Sequence, residues 1–157
     1  MPSFPELRRR IEVQGYTGLT DDELQDAAPW LRFTPVLNTL AVACATLMRS
    51  VSMLLVLAAI MALGAILPRH PFDLLYGVFV RPFENSPPLP RSGWRRRVVF
   101  AGGVPWLLSM AWLFHAGLEF WAVLMGLATT GMIALLALAY ICLPSEIMDR
   151  VSRGRHS

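Results

Sequence analysis

The chain has 157 residues, of which 55% are hydrophobic and only 16% are charged, whereas a typical soluble domain has about 25% charged residues. All 14 basic residues are arginines, and they exceed the 11 acidic residues to give a net charge of +3. Because the arginines flank long apolar blocks, this composition disfavours a soluble domain and nucleic-acid binding, and it favours a membrane protein.

The first 33 residues form a polar leader, which we predict to be cytoplasmic. Leu7–Val13 carries three consecutive arginines and predicts a short helix on the membrane surface. Thr20 is predicted to cap a second helix over residues 21–28, because its hydroxyl can accept from the free N–H groups of the first turn. Glu23 stands three residues later and completes the spacing of a capping box. We therefore expect a helical leader over residues 1–33.

The first apolar block, residues 34–67, predicts a transmembrane hairpin. A single helix of this length would reach about 50 Å, against roughly 30 Å of hydrocarbon. Arg49 is the natural place for a turn, and it divides the block into Thr34–Met48 and Val51–Leu67. The alternative is one tilted span whose ends project from the bilayer. Two spans are favoured because they place 13 of the 14 arginines on one side of the membrane, as the positive-inside bias requires.

Residues 68–97 connect the two apolar halves, carry six arginines and are predicted to be cytoplasmic. Within this connector, His70–Val80 is apolar but too short to cross a membrane, and its spacing predicts an interfacial helix that Pro82 ends. A membrane-surface contact is predicted where the next span begins, made by Trp94, Arg95, Arg96 and Arg97.

A second transmembrane hairpin is predicted over residues 98–143, with spans Val98–Leu118 and Phe120–Leu143. Its outer turn lies around residues 115–119, and a basic cytoplasmic tail follows over residues 144–157. Gly126 and Thr130 place small side chains on one face of the last span, where another helix can approach closely. We therefore predict a helix-packing contact there.

His70 and Asp73 are three residues apart, so on a helix they share a face. A carboxylate-oriented imidazole could bind a metal or relay protons. The other interpretation is that the two residues cap the interfacial helix and fix its position. Capping is favoured, because one histidine and one carboxylate do not supply the three or four ligands that a metal needs.

Three further polar candidates are His115, Cys44 and Cys142. His115 precedes Glu119 by four residues and could help to ligate a metal, although an ordinary polar turn is favoured. The two cysteines are predicted to differ in depth by about 15 Å, which excludes a disulfide, and both are expected to be buried and inert. A reactive Cys142 at the cytoplasmic boundary is the alternative.

Five phrases stand out against the apolar background: QGYTGLT at residues 14–20, PWLRFTP at 29–35, HPFDLLYG at 70–77, PPLP at 87–90 and ICLPS at 141–145. Together they resemble a bacterial membrane family that is described only as domain of unknown function 4395. The resemblance covers about residues 14–148. It implies a membrane fold and implies no reaction or cofactor.

These observations predict an all-α membrane protein with four transmembrane helices in two hairpins, an interfacial helix and a short helical leader. We expect both termini in the cytoplasm and the protein in the bacterial inner membrane. No catalytic or metal-binding set is predicted, and the cofactor stays unknown. The expected function is a non-catalytic accessory or scaffolding subunit that contacts the lipid bilayer and other membrane subunits, for example in a respiratory or photosynthetic complex. The alternative is a small thiol- or sulfur-handling enzyme or carrier that uses Cys142.

Overall fold

The computed structural model describes residues 4–14, 16, 19–84 and 93–139, and this part of the chain is helical with no strand. The predicted all-α class is confirmed. The helices, in chain order, are α1 (Phe4–Val13), α2 (Asp21–Ala27), a 3-10 turn (Trp30–Arg32), α3 (Phe33–Leu47), α4 (Val51–Ile66), α5 (Pro71–Leu75), a π-helical turn (Tyr76–Val80), α6 (Arg81–Glu84), α7 (Trp94–His115) and α8 (Glu119–Ala139).

Three segments of the described chain are long and apolar enough to cross a membrane, namely Trp30–Leu47, Trp94–His115 and Glu119–Ala139. A fourth crossing is possible where α4 continues into Pro71–Val80, although the two parts are bent by 85°. The 16 residues of α4 reach about 24 Å, short of a roughly 30 Å hydrocarbon core. The chain is therefore a membrane protein with three or four spanning helices.

Both predicted breaks between apolar helices are confirmed. Arg49 adopts a left-handed backbone, with φ of 50°, and the Ser50 hydroxyl accepts from the Met53 N–H at 3.3 Å to begin α4. Between α7 and α8, Gly117 has φ of 76°, a conformation in which a side chain is strained. An ion pair between Arg49 and Glu119 joins the two turns, so they lie at the same end of the bundle, which we call the turn end.

The four long helices pack mainly against helices of the other predicted hairpin and less against their own hairpin partners. α4 packs mainly against α7, and α3 packs mainly against α8. The core between them is apolar and includes Val42, Leu54, Leu107 and Met110, each nearly or fully buried. Residues far apart in the sequence therefore hold the bundle together.

α3 and α8 approach each other closely at Gly126. A Cβ built on Gly126 would overlap the Oγ1 and Cγ2 atoms of Thr46. The Thr46 hydroxyl is itself held by a 2.8 Å hydrogen bond to the Val42 carbonyl, so it has little freedom to move. Gly126 thus lies on the face of α8 that contacts α3, while the Thr130 hydroxyl donates to the Gly126 carbonyl within α8 at 2.8 Å.

A second apolar cluster covers the other end of the bundle, and we call it the cap. It is formed by the leader and by the segment from α5 to the π-helical turn. Tyr76 is 1% exposed. Its ring centroid lies 5.5 Å from that of Trp30 and 5.6 Å from that of Phe33, and the rings are tilted against each other. Arg10 of α1 donates to the Ala139 carbonyl of α8 at 2.7 Å, which ties the cap to the bundle.

The leader follows the predicted local pattern. Glu23 donates its backbone N–H to the Thr20 hydroxyl, and its carboxylate accepts from the Thr20 N–H, so the capping box is confirmed. Arg8, one of the three arginines of the predicted surface helix, bonds to Glu12 at 2.9 Å and to Asp21. These contacts join α1 to α2 within the cap.

Some local details differ from the prediction. Pro82 does not end the interfacial helix, because it lies in the first turn of α6, where a missing N–H costs little. Cys44 is exposed and not buried, because its side of α3 faces away from Val42 and Ala45 in the core. The PPLP phrase, residues 140–143 of the predicted last span, and the tail lie outside the described residues.

Replacing Gly126 by alanine should destabilise the protein by about 1–3 kcal/mol, because the new methyl group would overlap Thr46 in a packed interface. Thermal unfolding of purified protein in mild detergent measures the change. Gly131→Ala on the same helix is the matched control, since a Cβ there meets nothing within 4 Å. Equal unfolding temperatures for the two variants would contradict this packing.

Candidate functional site

The cap meets the bundle at a buried ion pair between Arg96 of α7 and Asp73 of α5. The guanidinium donates to both carboxylate oxygens, with Nη1–Oδ2 at 3.2 Å and Nη2–Oδ1 at 3.4 Å. The side chains are only 11% and 2% exposed. Such two-point contacts fix orientation as well as charge, so this pair sets how α5 lies on α7.

Asp73 has further partners that hold its carboxylate in place. It accepts from the Thr34 hydroxyl of α3 and from the backbone N–H of His70, the latter at 3.3 Å. Pro71 occupies the first position of α5, where its fixed φ suits a helix start. The local sequence therefore begins a helix and directs its first-turn carboxylate toward α3 and α7.

His70 caps α5 and is fully buried. Its Nδ1 accepts from the Phe72 N–H at 3.3 Å, and its ring lies 4.4 Å from the Phe100 ring of α7. The imidazole also lies directly on Gly64 of α4, where an added Cβ would overlap it. Three helices, α4, α5 and α7, thus meet at this histidine.

The His70 imidazole lies in the bend between α4 and α5. Burial and, to a smaller extent, the nearby Arg96 guanidinium lower the pKa of His70 to about 4, although Asp73 opposes the shift. The ring is therefore neutral at pH 7. Its Nε2 atom is buried and has no hydrogen-bond partner among the residues that the structure describes.

Tyr16 of the leader completes the site. Its hydroxyl accepts from Arg96, and the guanidinium carbon lies 5.1 Å from the Tyr16 ring and 5.2 Å from the Phe100 ring. Both distances suit a cation–π contact. Burial raises the pKa of Tyr16, so the phenol stays protonated beside the arginine.

The predicted site residues are partly brought together. His70 and Asp73 share one buried cluster, and both cap α5, which is the geometry of the favoured interpretation. Arg96 differs from the predicted membrane-surface contact because it turns inward to Asp73. Arg95 and Arg97 are half-buried, and Trp94 is 65% exposed.

The other candidates lie elsewhere. His115 is exposed at the end of α7. Glu119, which we considered as its partner, instead pairs with Arg49 at 2.5 Å, so the two turns are bridged. Cys142 lies outside the described residues.

Sequence reasoning missed the contacts of Asp73 with Arg96 and Thr34 and the contact of Arg96 with Tyr16. A weak signal was available, because Asp73 is one of only two acidic residues in a connector with six arginines. A carboxylate in such surroundings is expected to find a cation.

The cluster is suited to holding helices together. Arg96 and Asp73 balance each other, and within the described ranges no three His, Cys, Asp or Glu side chains are grouped so that they could hold a metal ion. Its partners come from the leader, α3, α5 and α7. The arrangement therefore acts as a polar clasp between the cap and the bundle.

Comparison with known proteins gives one family match. The family model described as "Domain of unknown function (DUF4395)" matches residues 28–153. Four of the five phrases that carry the resemblance fall inside the match, and QGYTGLT at residues 14–20 precedes it. No curated protein and no solved structure matches the chain.

Asp73→Asn should destabilise the protein by about 3–5 kcal/mol, because it leaves the Arg96 guanidinium buried without a counter-charge. Asp26→Asn, at an exposed position of α2, is the control and should change stability by less than about 1 kcal/mol. Thermal unfolding in detergent measures both. The double variant Asp73→Asn/Arg96→Gln should lose less than the sum of its single changes, and strict additivity would argue against a coupled pair.

Proposed function

We propose, from the premise that this chain belongs to the family described as "Domain of unknown function (DUF4395)", that it is a non-catalytic accessory or scaffolding subunit of a bacterial inner-membrane complex. A respiratory or photosynthetic assembly is the first host to test. The observation that carries the proposal is the polar clasp, which uses its charges to fasten the cap to the bundle.

The bonding of the clasp supports a structural role. Asp73 accepts from Arg96, Thr34 and the His70 backbone, so its lone pairs are engaged. The Tyr16 hydroxyl of the leader accepts a hydrogen bond from the Arg96 guanidinium. A general base or nucleophile needs a reactive atom that faces a substrate, and this carboxylate faces its own fold.

The outer surface of the cap supports attachment at a membrane. Over residues 70–80, the buried side chains are His70, Asp73 and Tyr76, whereas Val78 and Phe79 are 66% and 64% exposed. This reverses the pattern of a helix in water, which turns its apolar side inward. The segment therefore presents an apolar face that suits the lipid interface or a neighbouring membrane subunit.

We further propose four crossings in two hairpins, with the cap in the cytoplasm. Arg49 is the one arginine of the described residues at the turn end, while the others lie at or near the cap. That imbalance favours a cytoplasmic cap and both termini inside. In this arrangement α4 makes the second crossing although it reaches only about 24 Å, which requires local thinning of the bilayer. The 85° bend after α4 then lets the next segment lie along the membrane surface.

Cysteine labelling tests this topology. In a background with Cys44 and Cys142 replaced by serine, Met48→Cys at the turn end should react with a membrane-impermeant maleimide on intact cells. Asp26→Cys in the cap should react only after the membrane is permeabilised. Both positions are exposed in the fold, so access decides the outcome. Labelling of Asp26→Cys on intact cells would overturn a cytoplasmic cap.

Purification from native membranes in mild detergent, followed by mass spectrometry, tests the accessory role. We expect other integral membrane subunits to co-purify in fixed stoichiometry. An unrelated inner-membrane protein, tagged and expressed at the same level, is the control for adventitious capture. Recovery of the chain alone, as a monomer or homodimer, would overturn the proposal.

The same preparation addresses the alternative function. A thiol- or sulfur-handling protein should react rapidly with a maleimide at Cys142, and Cys142→Ser should abolish its activity. An accessory subunit should keep the same co-purifying subunits in the Cys142→Ser variant. Loss of a thiol-dependent activity with no associated subunits would replace the accessory role by the alternative.

A further inference from the structure

An elongated cavity of about 540 Å³ lies between α3, α7 and α8. It begins beside the clasp at Arg96 and extends along α7 to Trp106. These positions are ten residues apart, which is about 15 Å along a helix. Its volume falls within the roughly 300–1,000 Å³ that is usual for sites that hold one small molecule.

The cavity is open toward the surface of α7. Val98, Gly102 and Trp106 line it and are exposed, with Val98 at 48% and Trp106 at 45%. Their spacing of four residues places them along one side of the helix. Because α7 lies at membrane depth, this opening faces the bilayer, and a molecule dissolved in lipid can enter from the side.

The cavity wall along α7 and α8 is mainly apolar, so it suits an apolar occupant. An extended peptide would leave its backbone groups unbonded in this apolar space. A flexible hydrocarbon chain fits.

Asn38 supplies a polar contact inside this apolar space. It is 3% exposed and lines the cavity, one helical turn beyond Thr34. Its Oδ1 atom is buried and has no hydrogen-bond partner in the described part of the chain. An unbonded buried acceptor is destabilising, and a ligand hydroxyl can donate to the amide oxygen and accept from the amide NH2.

The charge of the wall decides the charge of the head group. Arg96 is the one charged side chain among the described residues that line the cavity, and Asp73 already balances it. An anionic or a cationic head group would therefore find no counter-charge that is available to pair with it. Burying such an unpaired charge is costly at low dielectric. An uncharged head group avoids that cost.

We propose that this cavity binds one membrane amphiphile with a single long apolar chain and an uncharged, hydroxyl-bearing head group. The hydroxyl bonds to Asn38, and the chain lies between α7 and α8 toward Trp106. At that end, the Trp106 indole donates to the Thr129 hydroxyl at 2.7 Å and bridges the two helices. This site is independent of the accessory role proposed above.

Photo-crosslinking with monooleoylglycerol that carries a diazirine in its acyl chain tests the site on the purified full-length protein. Adducts should map to α7 and α8 along the cavity, and unlabelled monooleoylglycerol should displace them. Oleyl sulfate and oleyltrimethylammonium, which have the same chain and a charged head group, should need about tenfold higher concentration or more. Equal displacement by all three would overturn the head-group assignment.

Gly102→Leu should block the cavity, because a Cβ at Gly102 meets nothing within 4 Å and the residue lines the open space. We expect specific crosslinking to be lost. Gly131→Leu on α8 is the matched control, since it also meets nothing within 4 Å and is absent from the cavity wall, and it should crosslink like the natural protein. Equal crosslinking of both variants would overturn the proposed site.

Asn38→Leu provides a second test that keeps the cavity apolar. Loss of one hydrogen bond should weaken binding by about two- to tenfold, measured as the concentration of monooleoylglycerol that displaces half the label. Gel filtration of each variant in detergent confirms that it is folded. Adducts spread over all exposed helix faces of the natural protein, without competition, would show lipid solvation only and overturn the proposal.

Discussion

The buried ion pair between Arg96 and Asp73 is the interaction on which the cap and the bundle both depend. Removing two charges from water is costly, and the cost is recovered only when geometry is good and the remaining polar atoms are bonded. Here Thr34, Tyr16 and the His70 backbone supply those bonds. Because each comes from a different element, the pair can form only when the leader, α3, α5 and α7 are all in place.

The sequence was sufficient for features that depend on neighbours along the chain. The capping box at Thr20 and Glu23 and the break at Arg49 arise from local backbone chemistry, and they were predicted. The contacts between residues that are distant in the sequence were not predicted. Three consecutive arginines lie in the first turn of α7, and nothing in their spacing shows that Arg96 turns inward, because its orientation depends on where α5 places Asp73. Likewise, Glu119 meets Arg49 across 70 residues.

Polar and apolar surfaces are arranged here in the way that a membrane environment favours. The segment after α4 buries His70 and Asp73 and exposes Val78 and Phe79. Next to it, the cavity has a mainly apolar wall that contains the amide of Asn38, whose Oδ1 has no hydrogen-bond partner among the described residues. Polar side chains inside a membrane protein either bond to one another or remain available to a ligand. Thr34 of α3 bonds to Asp73, whereas Asn38, one helical turn later, is available to a ligand.

The pairing of α4 with α7 and of α3 with α8 has a consequence for biosynthesis. The amino-terminal half is synthesised before the helices against which it packs. Asp73 therefore has no ion-pair partner until Arg96, which lies 23 residues downstream, has been added. Until α7 and α8 have been synthesised, the Asp73 carboxylate lacks Arg96 and the Thr46 face of α3 lacks Gly126. The buried contacts that join the two halves of the chain can therefore form only after the whole bundle has been made.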